Sequence, residues 1–159
     1  MKITEEIIVE ATPENVWPYV ADPLLMSAWN GKVVEVQRAS TALVKRGETF
    51  SMTYRMMRNR NERHDIEVVA CDPPRVVEYR YLTGTQGKTL ATVERYDLAP
   101  VEGGVRVVQT MDLSEAGISW YFWLLIKIIM RLGESEGPDS LEKLAQVIAE
   151  DTRASVETK

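Results

Sequence analysis

The sequence is poor in the residues that form disulfides, metal sites and nucleophilic triads. It contains one cysteine, Cys71, and one histidine, His64, among 159 residues. A single cysteine excludes an internal disulfide framework and favours a reducing, cytoplasmic location. One histidine and one cysteine cannot form a His-rich or Cys-rich metal site, and no Ser–His–Asp arrangement is suggested. We therefore expect no metal and no cofactor.

Excess positive charge is also absent. Nineteen lysines and arginines stand against 24 aspartates and glutamates, a net charge of -5. This balance argues against a general nucleic-acid binder, which depends on phosphate contacts. The glycines in "GTQG" and "EGG" are typical of turns and not of a nucleotide-binding loop. Acidic residues in "MKITEEIIVE" occupy the place where a signal peptide has its apolar centre, so we expect no export.

No apolar run is long enough to span a membrane. The longest, Ser119–Gly133, is interrupted by Lys127 and Arg131. As a helix, Ile118–Leu132 would be about 22 Å long, whereas the hydrocarbon core of a bilayer is about 30 Å thick.

Apolar side chains nevertheless cover most of the circumference of this stretch, including Trp120 and Trp123. An ordinary surface helix buries only one stripe. This segment therefore has apolar surface beyond one buried stripe. The additional surface is compatible with a lid, a homodimer contact or a transient membrane-surface contact.

The order of elements indicates an α+β domain. "KITEEIIVEA" alternates as a strand, and two short helices follow in "TPENVWPYV" and "DPLLMSAW". Thr12 and Pro13 begin the first of these, and Pro18 keeps it short or kinked. Six strand-like runs separated by turns then predict an antiparallel meander: "KVVEVQRA", "GETFSMTYRMM", "RHDIEVVAC", "RVVEYRYLT", "TLATVERYDL" and "GVRVVQTMDL".

The C-terminal part returns to a helical pattern. In "DSLEKLAQVIAED", Asp139 is the expected N-cap, and apolar residues recur at helical spacing. Gly133, Gly137 and Pro138 precede this helix, so whether Ile118–Leu132 and Asp139–Asp151 form one helix or two stays open.

Four segments resemble the START-like (SRPBCC) superfamily and, within it, the polyketide cyclase/dehydrase and lipid-transport group. They are "IIVEATPENVWPYVADP" with Trp29 following, "VVACDPPRVVEYR", "YDLAPVEGGVRVVQ" and "SLEKLAQVIAED". The resemblance implies a single START-like domain over residues 1–155 with a helix-grip fold. In this fold a curved, seven-stranded antiparallel sheet wraps around a C-terminal helix and leaves a cavity for a hydrophobic compound. The resemblance also implies that Ser119–Gly133 is the front section of that helix and partly roofs the cavity.

Counting in twos along each strand predicts which side chains face inward. The inward set is mostly apolar with a few polar groups, as in a small-molecule pocket, although a plain core has the same pattern. The predicted ligand-binding residues are Trp29, Met52, Tyr54, Met56, Tyr79, Tyr81, Glu94, Tyr96, Met111, Trp120 and Trp123.

Two of the inward positions carry titratable groups. His64 is suited to proton transfer near neutral pH, or it is a strand residue with a structural hydrogen bond. Glu94 is either an inward carboxylate that must be paired or hydrated, or the result of a wrong register.

Three functions follow from these observations. The leading hypothesis is binding of a small hydrophobic or amphipathic molecule, lipid-like or polyketide-like, without catalysis. The alternative is a cyclase/dehydratase-like enzyme that uses the same cavity, with His64 and Glu94 as catalytic residues. A protein-interaction domain is the third, and it requires a large exposed apolar patch.

Overall fold

The computed structural model describes residues 2–56, 60–83, 92–114 and 140–157. Within these ranges the chain forms a curved antiparallel sheet and helices packed on one of its faces, an α+β helix-grip fold as predicted. The strands are β1 (Lys2–Val9), β2 (Val33–Gln37), β3 (Thr49–Met56), β4 (Arg60–Asp72), β5 (Val76–Thr83), β6 (Val93–Val101) and β7 (Gly104–Asp112). The helices are α1 (Pro13–Ala21), α2 (Pro23–Trp29) and α3 (Ser140–Glu157).

The sheet is a meander to which the first strand is added at one edge. Strands β2 to β7 each pair with the next, and β1 pairs with β7, which gives the order β1-β7-β6-β5-β4-β3-β2. Gly104 permits the close approach at one end of the β1–β7 pair. It has a φ of 150°, and a Cβ atom there would overlap the carbonyl oxygen of Val9.

The two short helices begin where the sequence predicts. The Thr12 side chain accepts a hydrogen bond from the Asn15 amide at 3.3 Å, and Pro13 opens α1. Pro18 lies inside α1, which is nine residues long, so the expectation of a short helix is met. Asp22 then caps α2 by accepting from the Leu24 amide at 3.0 Å.

Side chains fasten the end of α1 to its neighbours. The Trp29 indole donates to the Tyr19 carbonyl at 2.9 Å, and the Tyr79 hydroxyl donates to the Val20 carbonyl at 2.7 Å. The last carbonyls of a helix have no partner within it, so these donors satisfy groups that are otherwise unpaired. They also fix α1 against both α2 and the sheet.

Helix α3 lies against α1, α2 and β1. Its buried face is Leu141, Leu144 and Ile148, in agreement with the predicted amphipathic pattern. The predictions for Asp139 and Ser119–Gly133 fall outside the described residues. Across the ranges that are described, none of the helices has the length and apolarity to cross a membrane.

The predicted inward faces of the strands agree with the burial in the structure, with one exception on β4. Counting in twos places Ala70 inward, which is wrong because a bulge after Val68 shifts the register and brings Cys71 to the core instead. The apolar inward side chains form a core under the helices: Phe50, Met52, Ile66, Val68, Val77, Tyr79, Tyr96, Leu98, Val105 and Val107. Glu94 is also buried, so the alternative that its strand was read in the wrong register is wrong.

A buried ion pair holds the connection between β2 and β3. The Arg38 side chain is 1% exposed, and it donates to both carboxylate oxygens of Glu48, at 2.5 and 2.9 Å. It also donates to the Ala42 carbonyl and lies 3.8 Å from Asp22. The hydrogen bond from Arg38 lowers the pKa of Glu48. The pair therefore ties this connection to the start of α2.

Replacing Arg38 should be costly because it leaves the Glu48 carboxylate without its cation. We expect Arg38→Ala to lower the free energy of unfolding by about 3 kcal/mol, measured by urea denaturation. The matched control is Arg75→Ala, because Arg75 pairs with Asp72 while 69% exposed and should contribute less than about 1 kcal/mol. Equal losses in the two variants would contradict the structural role of Arg38.

The same pair should make stability depend on pH on the acid side. The folded-state pKa of Glu48 is lowered, so its contribution is present at neutral pH and is lost as the pH falls below about 4.3 and through the folded pKa. We expect the stability difference between the wild type and Glu48→Gln to shrink between neutral pH and acid pH. Glu102→Gln, at an exposed turn, should show a constant difference. A constant difference for Glu48→Gln as well would contradict this linkage.

Candidate functional site

A cavity of about 550 Å³ lies between the sheet and the first residue of α3. Its described wall comes from β1, from the strands β3 to β7 and their flanking residues, and from the α2–β2 connection. Five residues of the wall were predicted from the sequence as ligand-binding or catalytic: Tyr54, His64, Tyr81, Glu94 and Met111. They come from five consecutive strands of the sheet, and strand alternation points them to one face.

Two tyrosines meet beside the histidine ring. Tyr54 on β3 and Tyr81 on β5 lie on either side of His64 on β4, with ring centroids 5.6 and 5.8 Å from the imidazole. Their hydroxyl oxygens are 2.8 Å apart. The three rings therefore make a continuous aromatic part of the cavity wall.

Glu94 is the buried carboxylate of this wall, and three neutral side chains donate to it. Tyr81 donates to Oε2 at 2.7 Å, whereas Tyr96 and Gln109 donate to Oε1 at 2.7 and 2.6 Å. The Glu94 residue is 4% exposed. A carboxylate removed from water is destabilised unless donors replace the lost water, and these three do so.

The tyrosines around Glu94 keep their protons at neutral pH. Burial raises the pKa of Tyr81 and Tyr96 well above the ordinary value, and the negative charge of Glu94 raises both further. Burial also raises the pKa of Tyr54, with a smaller contribution from Glu94. All three hydroxyls are therefore available as donors.

His64 has a different environment. It is 4% exposed, and its Nε2 lies 4.0 Å from a Glu62 carboxylate oxygen. Its Nδ1 is buried and has no hydrogen-bond partner within the described part of the chain. The predicted structural hydrogen bond of His64 is thus not formed there, and the ring contributes mainly aromatic surface beside Tyr54 and Tyr81.

Four predicted ligand-binding residues lie outside the described cavity wall and pack behind it. Trp29 is fully buried and meets the Tyr96 ring edge-on at 6.1 Å. The Tyr96 hydroxyl donates to Glu94, and the Tyr79 hydroxyl donates to the Val20 carbonyl. Met52 is buried in the core. These side chains support the wall. Trp120 and Trp123, and the side chain of Met56, fall outside the described part of the structure.

Several wall residues were not among the predicted ligand-binding residues. Thr92 and Gln109 lie two positions from the predicted residues Glu94 and Met111 and so share their inward alternation, and Ile3 and Glu5 occupy alternate positions of β1. The remaining members are Asn30, Lys32, Leu113 and Ser140, which lie in connections or at an element end where no periodic pattern identifies them. The described wall is consequently richer in polar groups than the apolar lining expected from the sequence.

The described residues contain no group of three His, Cys, Asp or Glu side chains that could hold a metal ion. The described wall offers hydrogen-bonding groups and aromatic surface, and it carries two titratable side chains, Glu94 and His64.

Solved structures share this fold at low sequence identity. A protein from Rhodobacter sphaeroides is 19% identical with a TM-score of 0.63, covering 97% of this chain and 92% of that one. A protein from Nitrosomonas europaea is 10% identical with a TM-score of 0.69, covering 96% and 97%. A Staphylococcus aureus protein of unknown function is 15% identical with a TM-score of 0.66, covering 96% of each chain.

No curated protein matches the sequence at a significant level. The family model described as polyketide cyclase/dehydrase and lipid transport matches residues 1–148. This match covers nearly the whole chain, including every strand of the sheet and the first half of α3. The chain belongs to the polyketide cyclase/dehydrase and lipid transport family.

Proposed function

We propose that the protein binds a small hydrophobic or amphipathic molecule in the cavity between the sheet and α3. The observation that carries this proposal is the cavity itself, whose volume of about 550 Å³ is within the range of small-molecule sites. A cavity of this size would be filled by side chains if the sheet only formed a core. The single cysteine supports a cytoplasmic location for this binding.

The composition of the wall suits an amphipathic ligand. Ile3, Met111 and Leu113 offer apolar surface, and the tyrosine rings add aromatic carbon. Hydroxyl and carboxylate groups are concentrated at Tyr54, Tyr81 and Glu94. Apolar surface contributes affinity through burial, whereas a few placed polar groups orient the bound molecule.

A cyclase or dehydratase is the second candidate, because the two titratable side chains predicted as catalytic both line the cavity. Glu94, however, is engaged by three donors, and Nδ1 of His64 has no hydrogen-bond partner among the described residues that would orient the ring as a base. We therefore favour binding without a covalent step. An enzyme would change a bound polyketide. After incubation, liquid chromatography coupled to mass spectrometry would detect a dehydrated product by its lost mass and a cyclised isomer by its altered retention time.

The protein-interaction alternative has less support. Among the described side chains of α3, the larger apolar ones are buried or half-buried except Val156, and the other exposed apolar positions are the small residues Ala149 and Ala154. An interaction surface on this helix requires a contiguous apolar patch.

Filling the cavity should abolish binding while leaving the fold intact. Met111 is a wall residue beside Glu94 in the sheet, and we expect Met111→Trp to weaken binding of the neutral dye N-phenyl-1-naphthylamine at least tenfold. Fluorescence titration of the delipidated protein would measure this affinity.

The matched control for this experiment is Ile8→Trp. Ile8 lies on β1 but is 56% exposed and does not line the described cavity, so the same change there should leave dye affinity unaltered. Circular dichroism should show both variants folded. Equal dye affinity in the Met111→Trp variant and the wild type would overturn the cavity as the binding site.

A further inference from the structure

We propose that the cavity recognises a ligand by a hydrogen-bond donor, a hydroxyl or an ammonium group, placed against Tyr54, Tyr81 and Glu94. This inference rests on the proposed function and specifies the class of ligand. It follows from the direction in which each hydrogen bond around Glu94 must run.

The direction is set by counting protons. An ionised carboxylate only accepts, so the single hydroxyl proton of Tyr81 is committed to Glu94 Oε2 at 2.7 Å. The Tyr81 oxygen is 2.8 Å from the Tyr54 oxygen, and Tyr81 has no proton left to donate. Tyr54 must therefore donate to Tyr81, which also prevents it from donating to the Met52 sulfur 3.6 Å away.

The donors on the other side of Glu94 are also committed. Gln109 has two amide protons: one is directed to Glu94 Oε1 at 2.6 Å and the other to the Tyr96 oxygen at 3.1 Å. The Tyr96 proton is directed to Oε1 at 2.7 Å. The polar protons of four side chains are thus all donated either to Glu94 or to a tyrosine hydroxyl that itself donates to Glu94. These side chains are Tyr54, Tyr81, Tyr96 and Gln109.

Among the described side chains linked to Glu94, only acceptors remain free, although the imidazole of His64 beside them carries an N–H donor. Each carboxylate oxygen offers about two acceptor positions. From the described residues, Oε1 receives two hydrogen bonds and Oε2 receives one, which leaves Oε2 a position for another donor. The Tyr54 oxygen also keeps its lone pairs. A ligand hydroxyl or ammonium would donate to these acceptors. A ligand carbonyl or carboxylate would place another acceptor against them, with no proton to share.

Charge supports the same class of ligand. The side chains hydrogen-bonded to Glu94 are all neutral, so the carboxylate has no cation among them. An ammonium group at Oε2 would supply one. Lys32 also lines the cavity, but its side chain is largely exposed.

The test compares ten-carbon ligands that differ only in their polar end. Decylamine, 1-decanol, 2-decanone and decanoate would each compete with N-phenyl-1-naphthylamine for the wild-type protein. We expect the alcohol, the amine or both to bind about tenfold more tightly than the ketone and decanoate. Tighter binding of the amine identifies a cationic ligand, and tighter binding of the alcohol a neutral one.

The outcomes separate this inference from the proposed function. If the ketone or decanoate binds as tightly as both donor ligands, or if none of the four displaces the dye, the inference is overturned and binding in the cavity stands. If the dye itself does not bind, the proposed function fails and the inference falls with it.

A substitution locates the preference at Glu94. Glu94→Gln places an amide donor among the acceptors, and we expect it to reduce the alcohol-to-ketone ratio from about tenfold to near unity. Glu78→Gln, on the opposite face of β5, is the matched control and should keep the ratio. An unchanged ratio in Glu94→Gln would overturn the assignment. If that variant does not fold, the comparison of the four ligands on the wild-type protein still decides the inference.

Discussion

The carboxylate of Glu94 is the constraint on which the polar half of the structure depends. Placed on an inward position of β6, it loses its water and requires donors from its neighbours. Tyr81, Tyr96 and Gln109 provide them from β5, β6 and β7. The Tyr81 oxygen in turn accepts a hydrogen bond from the Tyr54 hydroxyl, so the network around Glu94 extends to β3. A single buried charge thus orders side chains across most of the sheet.

The inward face of the sheet has two regions with different chemistry. Under α1, α2 and α3, apolar side chains such as Val68, Val77 and Val107 are fully buried and form the core. Near the start of α3, tyrosines and Glu94 line a cavity instead. Buried polar groups are tolerated when all are hydrogen-bonded, and a connected network is stiff because each group has few alternatives. The filled region stabilises the fold, and the polar region keeps its shape without filling its volume.

Much of this architecture could be predicted from the sequence because strand alternation is a strong signal. The odd positions of β1 and the inward placement of Glu94 follow from counting in twos. Alternation cannot tell whether an inward side chain reaches the cavity or packs behind it. Trp29 and Tyr79 were predicted to bind ligand, yet the carbonyls of α1 hold both in the core. Asn30 and Lys32 lie in a connection, where position depends on tertiary packing and not on a repeating pattern.

The pairing of β1 with β7 has a consequence for how the cavity is assembled. Ile3 and Glu5 line the cavity from a strand whose partner, β7, lies roughly a hundred positions away in the chain. Contacts of such high sequence separation have a large loop-closure entropy and slow the search for the native topology. The meander from β2 to β7 is built from neighbours, whereas this last pair joins distant parts of the chain. The part of the cavity wall that β1 contributes therefore forms only when β1 has paired with β7. A ligand bound there would stabilise the paired state by mass action.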